Sequence, residues 1–415
     1  MPKKLLALLA VALVAAVPAL ATNGYFSLSY GTPYQGMAGA GQALHLNTMA
    51  SATNPATIAF VKGYDVSFAA FNPNRGYTVT GNPSGYPGTF GLAPGTYESD
   101  TSAFLIPGLS GAWHLSERFH LGVAIYGNGG MNTDYPNPVF GQAPVGVNLT
   151  QAFLAPSVAF ELSKDHAIGV SVIGAWQQFE AKGLGAFAMF SSNPAALTDN
   201  GKDTSTGLGG RIGYHGHVTE WLALGASYQT EIKMSEFDEY AGLFAEQGDF
   251  DIPATWAVGI AVMPAKGWTI AADVQEIYYS KVAAIGNPML PNLMQAPLGS
   301  DNGAGFGWKD VTVFKLGVQW EASETWTFRA GYAHADQPVP ESEVLFNILA
   351  PGVIQDHVTV GLTTLLSKKA ALHFALMRAF SNCVEGPNPL EAPGQQRIDL
   401  KMDQWEAELG LSYGF

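Results

Sequence analysis

The last eleven residues constrain this chain most. In Trp405-Glu-Ala-Glu-Leu-Gly-Leu-Ser-Tyr-Gly-Phe415, the side chains of Trp405, Ala407, Leu409, Leu411, Tyr413 and Phe415 share one face of an extended strand. Glu406, Glu408, Gly410, Ser412 and Gly414 share the other. A strand apolar on one side, polar on the other and closed by an aromatic suits a wall between lipid and a wet interior. Alone it suits the edge of a soluble β-sandwich equally well, so the rest of the chain has to decide.

The N-terminus decides for export. Lys3 and Lys4 precede an apolar run from Leu5 to Val17 and then Pro18-Ala-Leu-Ala21. This is the pattern of a secretory signal peptide over residues 1–21, too short to span as a helix, with the mature chain expected near Thr22. Beyond it no run of about 18 apolar residues occurs, which argues against helical membrane spans. Yet 47% of residues are hydrophobic, 12% aromatic and only 13% charged, with 48 glycines; soluble proteins average roughly 25% charged. A closed β-barrel reconciles these facts, because its strands satisfy one another's backbone groups without any long apolar run. Setting aside Lys3 and Lys4 leaves 18 basic against 34 acidic residues, a balance of −16, which opposes nucleic acid as a partner. A lone cysteine, Cys383, permits no internal disulfide.

Period-two segments number fourteen, near residues 63–74, 99–114, 117–128, 150–163, 165–182, 204–218 and 220–233, then 251–264, 266–280, 307–321, 324–336, 354–366, 369–382 and 401–415. Tight turns such as Ser116-Glu117, Thr219-Glu220 and Ser367-Lys368 alternate with long loops near 75–98, 129–149, 183–203, 234–250, 281–306, 337–353 and 383–400. Short periplasmic turns and long extracellular loops are the asymmetry of an outer-membrane barrel. An all-β, antiparallel transmembrane barrel of about fourteen strands over 62–415 is therefore predicted. Its lipid face includes Trp268, Ile270, Phe314, Leu316, Trp320, Trp326, Phe328 and Tyr332, and Trp268, Trp320, Trp326 and Trp405 are expected near the periplasmic ends.

Fourteen strands enclose more space than their own side chains fill. The segment from Thr22 to Val61 is the expected filling, a folded hatch. It carries Gly36-Met-Ala-Gly-Ala-Gly41, whose Gly36, Gly39 and Gly41 allow close packing, and Asn54-Pro55-Ala56, whose proline interrupts continuing structure.

These residues resemble the FadL/TodX-type outer-membrane transporters of long-chain fatty acids and hydrocarbons. The similarity runs through Asn23-Gly-Tyr-Phe26, Gly36–Gly41 and Ser51-Ala-Thr-Asn-Pro-Ala56, then Ile252-Pro-Ala-Thr255, Trp308-Lys-Asp310, Trp326-Thr-Phe-Arg-Ala-Gly-Tyr332 and Pro338-Val-Pro340. A second Asn193-Pro-Ala195 in a loop makes the tripeptide alone uninformative; the ordered set is specific. The resemblance implies energy-independent capture of a hydrophobic small molecule by extracellular loops and transfer to a pocket in the barrel. It further implies movement of the hatch, with Phe26 and the glycines and Asn-Pro-Ala just named, and sideways release near a kinked third strand. It also implies outer-membrane lipid and lipopolysaccharide as surroundings, the barrel-assembly machinery during biogenesis, and no cofactor.

Phe187, Met189, Phe190, Leu243, Phe244, Leu293 and Met294 are apolar for loop residues and are the candidate capture surface. A fatty acid would need a cation for its carboxylate, and Lys315, Arg329 and Arg211 are the inward-facing candidates. The competing expectation for Lys315 is an ion pair with Asp273 across adjacent strands. Gly303-Ala-Gly-Phe-Gly307 lacks the basic residue that fatty-acid members can carry there, which leaves neutral aromatic or aliphatic hydrocarbons as the alternative cargo. A hydrolase is opposed because Gly410-Leu-Ser-Tyr-Gly414 is followed by no helix. A general porin is opposed by the hatch and the low charge. His215 and His217 share a strand face, but no third metal ligand is visible in the sequence, so no metal site is expected.

Overall fold

The computed structural model describes residues 23–414; the expected signal peptide and Phe415 lie outside them. Fourteen long strands form the wall: β1 (Gly63–Thr80), β2 (Phe104–His114), β3 (Phe119–Tyr135), β4 (Val145–Ser163), β5 (His166–Lys182), β6 (Asp203–Thr219) and β7 (Leu222–Gln229). The second half is β8 (Thr255–Ala265), β9 (Trp268–Ile277), β10 (Val311–Glu321), β11 (Trp326–Ala335), β12 (Asp356–Ser367), β13 (Ala370–Pro387) and β14 (Arg397–Tyr413). Each pairs antiparallel with its sequence neighbour, and β14 returns to β1 from Tyr64 opposite Tyr413 to Thr80 opposite Arg397. Pairing of β14 with β1 leaves the sheet no edge strand, which is what lets a sheet sit in lipid. Two short segments, Gly95–Glu98 and Lys233–Met234, pair with the upper ends of β1 and β6.

Turns of two to four residues close one end and loops of nine to thirty-three residues cover the other. The alternating pattern sorts as expected. On β14, Trp405, Leu409, Leu411 and Tyr413 point outward and are exposed, while Glu408 and Ser412 are buried inside. On β10, Phe314, Leu316 and Trp320 are outside, and Lys315 and Gln319 inside.

Several strand bounds differ from the expected ones. β1, β3, β13 and β14 continue well past the predicted ends on the loop side. On β1, β13 and β14 the outward side chains turn polar there (Thr78 and Thr80 on β1), and on β3 Asn128–Thr133 are buried on both faces, so the hydrophobic alternation fades while the backbone ladder continues. β2, β7, β8 and β10 stop short of their predicted ends. Near two of those ends side chains take the amides instead: Asp251 accepts from the Met234 N–H at 2.7 Å and Asp310 from that of Ser280 at 2.9 Å. Trp405 also corrects an expectation. It lies opposite Asn72, in the middle of β14 and not at its periplasmic end. Below it the outward face is Leu409, Leu411 and Tyr413; above it are Asp403, Lys401 and Asp399. Trp405 thus marks the outer boundary of the apolar band and Tyr413 the inner.

Residues 23–62 fold inside the barrel as a helical turn (Thr32–Gln35) and two 3-10 turns (Thr48–Ala52 and Pro55–Phe60). Nearly all of Asn23–Ala59 is buried.

Candidate transport pathway

The hatch lies close against the wall because glycines face it from both sides. A side chain at Gly213 would strike Asn54 and Pro55, one at Gly225 the Gln42 carbonyl, and one at Gly331 the backbone of Met37. Gly36 and Gly361 approach so nearly that neither tolerates a Cβ. Gly39 adds a positive φ of 78°, a backbone state that disfavours L side chains. In Asn54-Pro55-Ala56 the Asn54 side chain accepts the Ala56 N–H at 3.1 Å, capping the 3-10 turn, while Pro55 occupies its first position. The same amide donates to the Gln42 carbonyl at 2.9 Å and to Tyr214 of β6 at 2.8 Å, so it ties the turn to both hatch and wall. In Asn193-Pro-Ala195 the asparagine makes no such cap.

Two charged groups on the wall hold the hatch as well. Asp273 on β9 accepts from the N–H groups of Gly41 at 2.6 Å and Gln42 at 2.9 Å. Lys315 on β10, its cross-strand partner, donates to the Leu28 carbonyl at 2.9 Å. The expected Lys315–Asp273 ion pair is therefore not formed; each is turned to hatch backbone. Arg329 donates to Gln319 at 2.8 Å and Thr363 at 2.6 Å. Arg211 donates to the hatch carbonyl of Ala52 and to Gln229. All three cations are engaged within the protein.

Above the hatch the interior is aromatic. Phe244 stacks near Phe250 with ring centroids 4.9 Å apart, Phe250 near Tyr25 at 6.1 Å, and Tyr25 near Tyr279 at 5.1 Å. Phe26 continues the column at 5.7 Å from Tyr279, and Trp308 flanks it. Tyr279, in the loop after β9, accepts from the N–H groups of Tyr25 and Phe26 at 3.2 Å each and donates to the Asn23 carbonyl at 2.5 Å. Burial raises its pKa well above the ordinary value, so the hydroxyl stays neutral and keeps its proton to donate. A second cluster, Phe90, Phe140, Phe187 and Phe346, joins four loops at the mouth, with Phe187 4.4 to 5.4 Å from the other three. The proposed capture residues divide: Phe187, Phe244 and Leu293 are buried under the loops, Phe190 and Leu243 are half-buried, and Met189 and Met294 stand exposed.

The wall is interrupted between β2 and β3. β2 and β3 pair from His114 opposite His120 up to Gly108 opposite Tyr126, and there the ladder stops. Pro107, with no N–H, comes next on β2. On β3 the pairing with β4 shifts between Gly127 and Gly129, a bulge at Asn128. Beyond it the free edge of β3 pairs with the hatch: Ser27 N–H donates to the Asn128 carbonyl at 2.9 Å and Gly130 N–H to Tyr25 at 3.1 Å. A side chain at Gly129 would collide with the Tyr25 carbonyl. The hatch therefore substitutes for the missing strand.

The inner spaces are small. A cavity of about 50 Å³ lies between hatch and wall beside Pro107, Tyr126 and Gly127, and one of about 40 Å³ beside Arg211 and Lys315. Ligand pockets run to roughly 300–1,000 Å³, so the passage is shut. Beneath the hatch a vestibule of about 520 Å³ opens at the short-turn end, lined by polar Asn47, Lys62, Asp65, Arg329 and His373 and by apolar Leu46, Phe60, Val61, Leu365 and Ala371. Ser412 lies here, within 2.7 Å of His373, and hydrogen-bonds Asp65 directly. His373 is oriented on its other nitrogen by Thr363, not by a carboxylate. The order that makes a serine nucleophilic is thus absent from this group.

Sequence reasoning missed Tyr25, Tyr279, Trp308 and Asp273 as hatch or column residues. Tyr25 and Trp308 stand inside motifs singled out above, but the contacts that join Tyr25 to Tyr279 and Trp308 span more than half of the chain.

The profile of the outer membrane protein transport proteins (OMPP1/FadL/TodX) matches residues 12–403. No curated protein matches the chain. Among solved structures, a Pseudomonas aeruginosa FadL homologue superposes with a TM-score of 0.70 at 16% identity, over 94% of this chain and 99% of that one. The Pseudomonas putida toluene transporter TodX gives 0.68 at 18% identity, over 95% and 100%. The Ralstonia pickettii toluene transporter TbuX gives 0.64 at 18%, over 94% and 99%. At such identities these structures speak for the fold, and the profile, covering most of the chain, speaks for descent. The chain belongs to the FadL/TodX family, the outer-membrane β-barrel channels through which Gram-negative bacteria admit hydrophobic compounds.

Proposed function

We propose that this chain passes hydrophobic molecules across the outer membrane without an energy source, from the loops down the aromatic column, past the hatch, and sideways into the membrane between β2 and β3. The observation that carries this reading is the hatch segment Tyr25–Ser27, which is both the floor of the aromatic column and the filling of the interrupted wall. Moving it opens both together. A straight route would carry a greasy cargo through the vestibule into water at the short-turn end, which the sideways route avoids. Met189 and Met294 act as the outer contact surface, with Phe187, Phe190, Leu243, Phe244 and Leu293 packed beneath. Phe26, Gly36, Gly39, Gly41 and Asn54–Ala56 belong to the moving element.

The engaged state of Arg211, Lys315 and Arg329 favours a neutral cargo, such as an aromatic or aliphatic hydrocarbon, over an acid. One observation supports fatty acids as a second reading: the hydrogen bond of Lys315 goes to the hatch carbonyl of Leu28, so displacement of the hatch frees an ammonium in the lumen. Uptake of labelled toluene and oleate by a transporter-deficient strain, with and without this chain, tests both. Toluene uptake should rise with the chain, and Lys315→Met, which frees one hatch anchor, should not lower it. A fall of roughly tenfold in oleate uptake alone in Lys315→Met would establish the acid as cargo, consistent with loss of one charged hydrogen bond. No gain for either compound would end the transport reading.

A further inference from the structure

We propose that His45, His215 and His217 form a site for one divalent transition metal of the zinc class, joining the hatch to β6. His215 and His217, two residues apart, project from the same face of β6. The fold supplies the third donor, absent from any sequence motif, by laying His45 of the hatch over them. Ring centroids are 5.3 Å apart for His215–His217, 5.4 Å for His45–His215 and 6.0 Å for His45–His217, and all three pairs are close to perpendicular. One ligand atom from each lies within 4.8 Å of the others.

His215 is fully buried, and neither of its ring nitrogens has a hydrogen-bond partner; the buried Nδ1 of His45 also has none. Unpaired buried polar atoms are costly, and a bound metal would take one nitrogen of each ring. Tetrahedral zinc with bonds of about 2.0–2.1 Å holds its nitrogens about 3.3 Å apart. His45 and His217 are only partly buried, so side-chain rotation can close the difference. Three imidazoles with no carboxylate select zinc, copper or nickel over magnesium or calcium. Phe60 packs on His45 at 5.4 Å and on His215 at 5.0 Å, shielding one side. His45 and Phe60 line the vestibule, which gives the ion an entry path from the short-turn end and leaves a fourth position for water.

The bound ion would tie hatch to wall and favour the closed passage. That consequence rests on the uptake reading, whereas binding itself does not. The test therefore uses purified full-length chain in detergent, stripped of metal and titrated with Zn²⁺ and then Co²⁺. One ion per chain is expected, with Co²⁺ giving the visible absorption of a tetrahedral site. His45→Gln and His217→Gln should each weaken binding by more than the roughly 10–100-fold that loss of an outer-shell partner costs. His217→Cys, which restores a donor, should retain it. Zn²⁺ should slow amide exchange at Leu44–Asn47 in the natural chain and not in His217→Gln. The proposal is overturned if the natural chain binds Zn²⁺ no tighter than the double glutamine variant, which is the result for rings merely packed together. It is overturned equally if His45→Gln binds normally, since the hatch then supplies no ligand.

Discussion

Asn54 shows how much one side chain can hold. Its oxygen caps a 3-10 turn and its nitrogen bridges Gln42 and Tyr214. Asn54→Ala removes the cap and leaves two buried carbonyls without their donor, a local loss of about 2 kcal/mol or more. Amide exchange at Ala56 and Thr57 should accelerate by roughly 30-fold; unchanged exchange would show that the turn is held by packing alone. The importance of this residue was legible only through the ordered set of motifs, since Asn193-Pro-Ala195 repeats the tripeptide and makes no cap. That of Tyr279 was not, since its three hydrogen bonds go to residues more than 250 positions away. Lys315 was legible as an inward cation but not as a hatch anchor: cross-strand register placed it by Asp273, and only the hatch backbone explains why both turn away.

At the scale of elements, the strands facing lipid were readable and the long loops were not. Alternation survives wherever one face meets lipid, as on β9 to β11, and fades where β1 and β14 rise into the loops with polar groups outside. The bulge in β3 had glycines as its only trace, and many barrel strands carry glycine. The loop after β7 contains an acid cluster, with Asp251 buried, Asp249 half-buried and Glu246 exposed, whose behaviour follows from charge. Burial first, then the neighbouring Asp251 and Glu246 carboxylates, raises Asp249 from 3.8 to about 8. The folded loop holds this proton more tightly than the unfolded chain, so loop stability is greatest below about pH 4 and declines as pH rises to about 8. Limited proteolysis between residues 234 and 250 should be faster at about pH 9 than at about pH 5, and Asp249→Asn should flatten the difference. A cleavage rate that falls on raising the pH would contradict this.

For the whole molecule, the apolar band bounded by Trp405 and Tyr413 sets its place in the membrane. Leu409 lies midway between them and is fully outward. Leu409→Arg should cost about 2–4 kcal/mol in denaturant unfolding from lipid vesicles, and Trp405→Arg only about 0–1 kcal/mol, as depth dictates. Equal costs would mean that the band is misplaced. The filled lumen and the interruption between β2 and β3 then leave a hydrophobic cargo two candidate exits, sideways through the wall or down into the vestibule. A photoactivatable alkane, crosslinked during uptake and mapped by peptide mass spectrometry, distinguishes them. Label is predicted on Tyr25, Phe26, Pro107 and Tyr126, along the column and at the interrupted wall. Label confined to the vestibule residues Asn47, Asp65 and His373 would contradict the account.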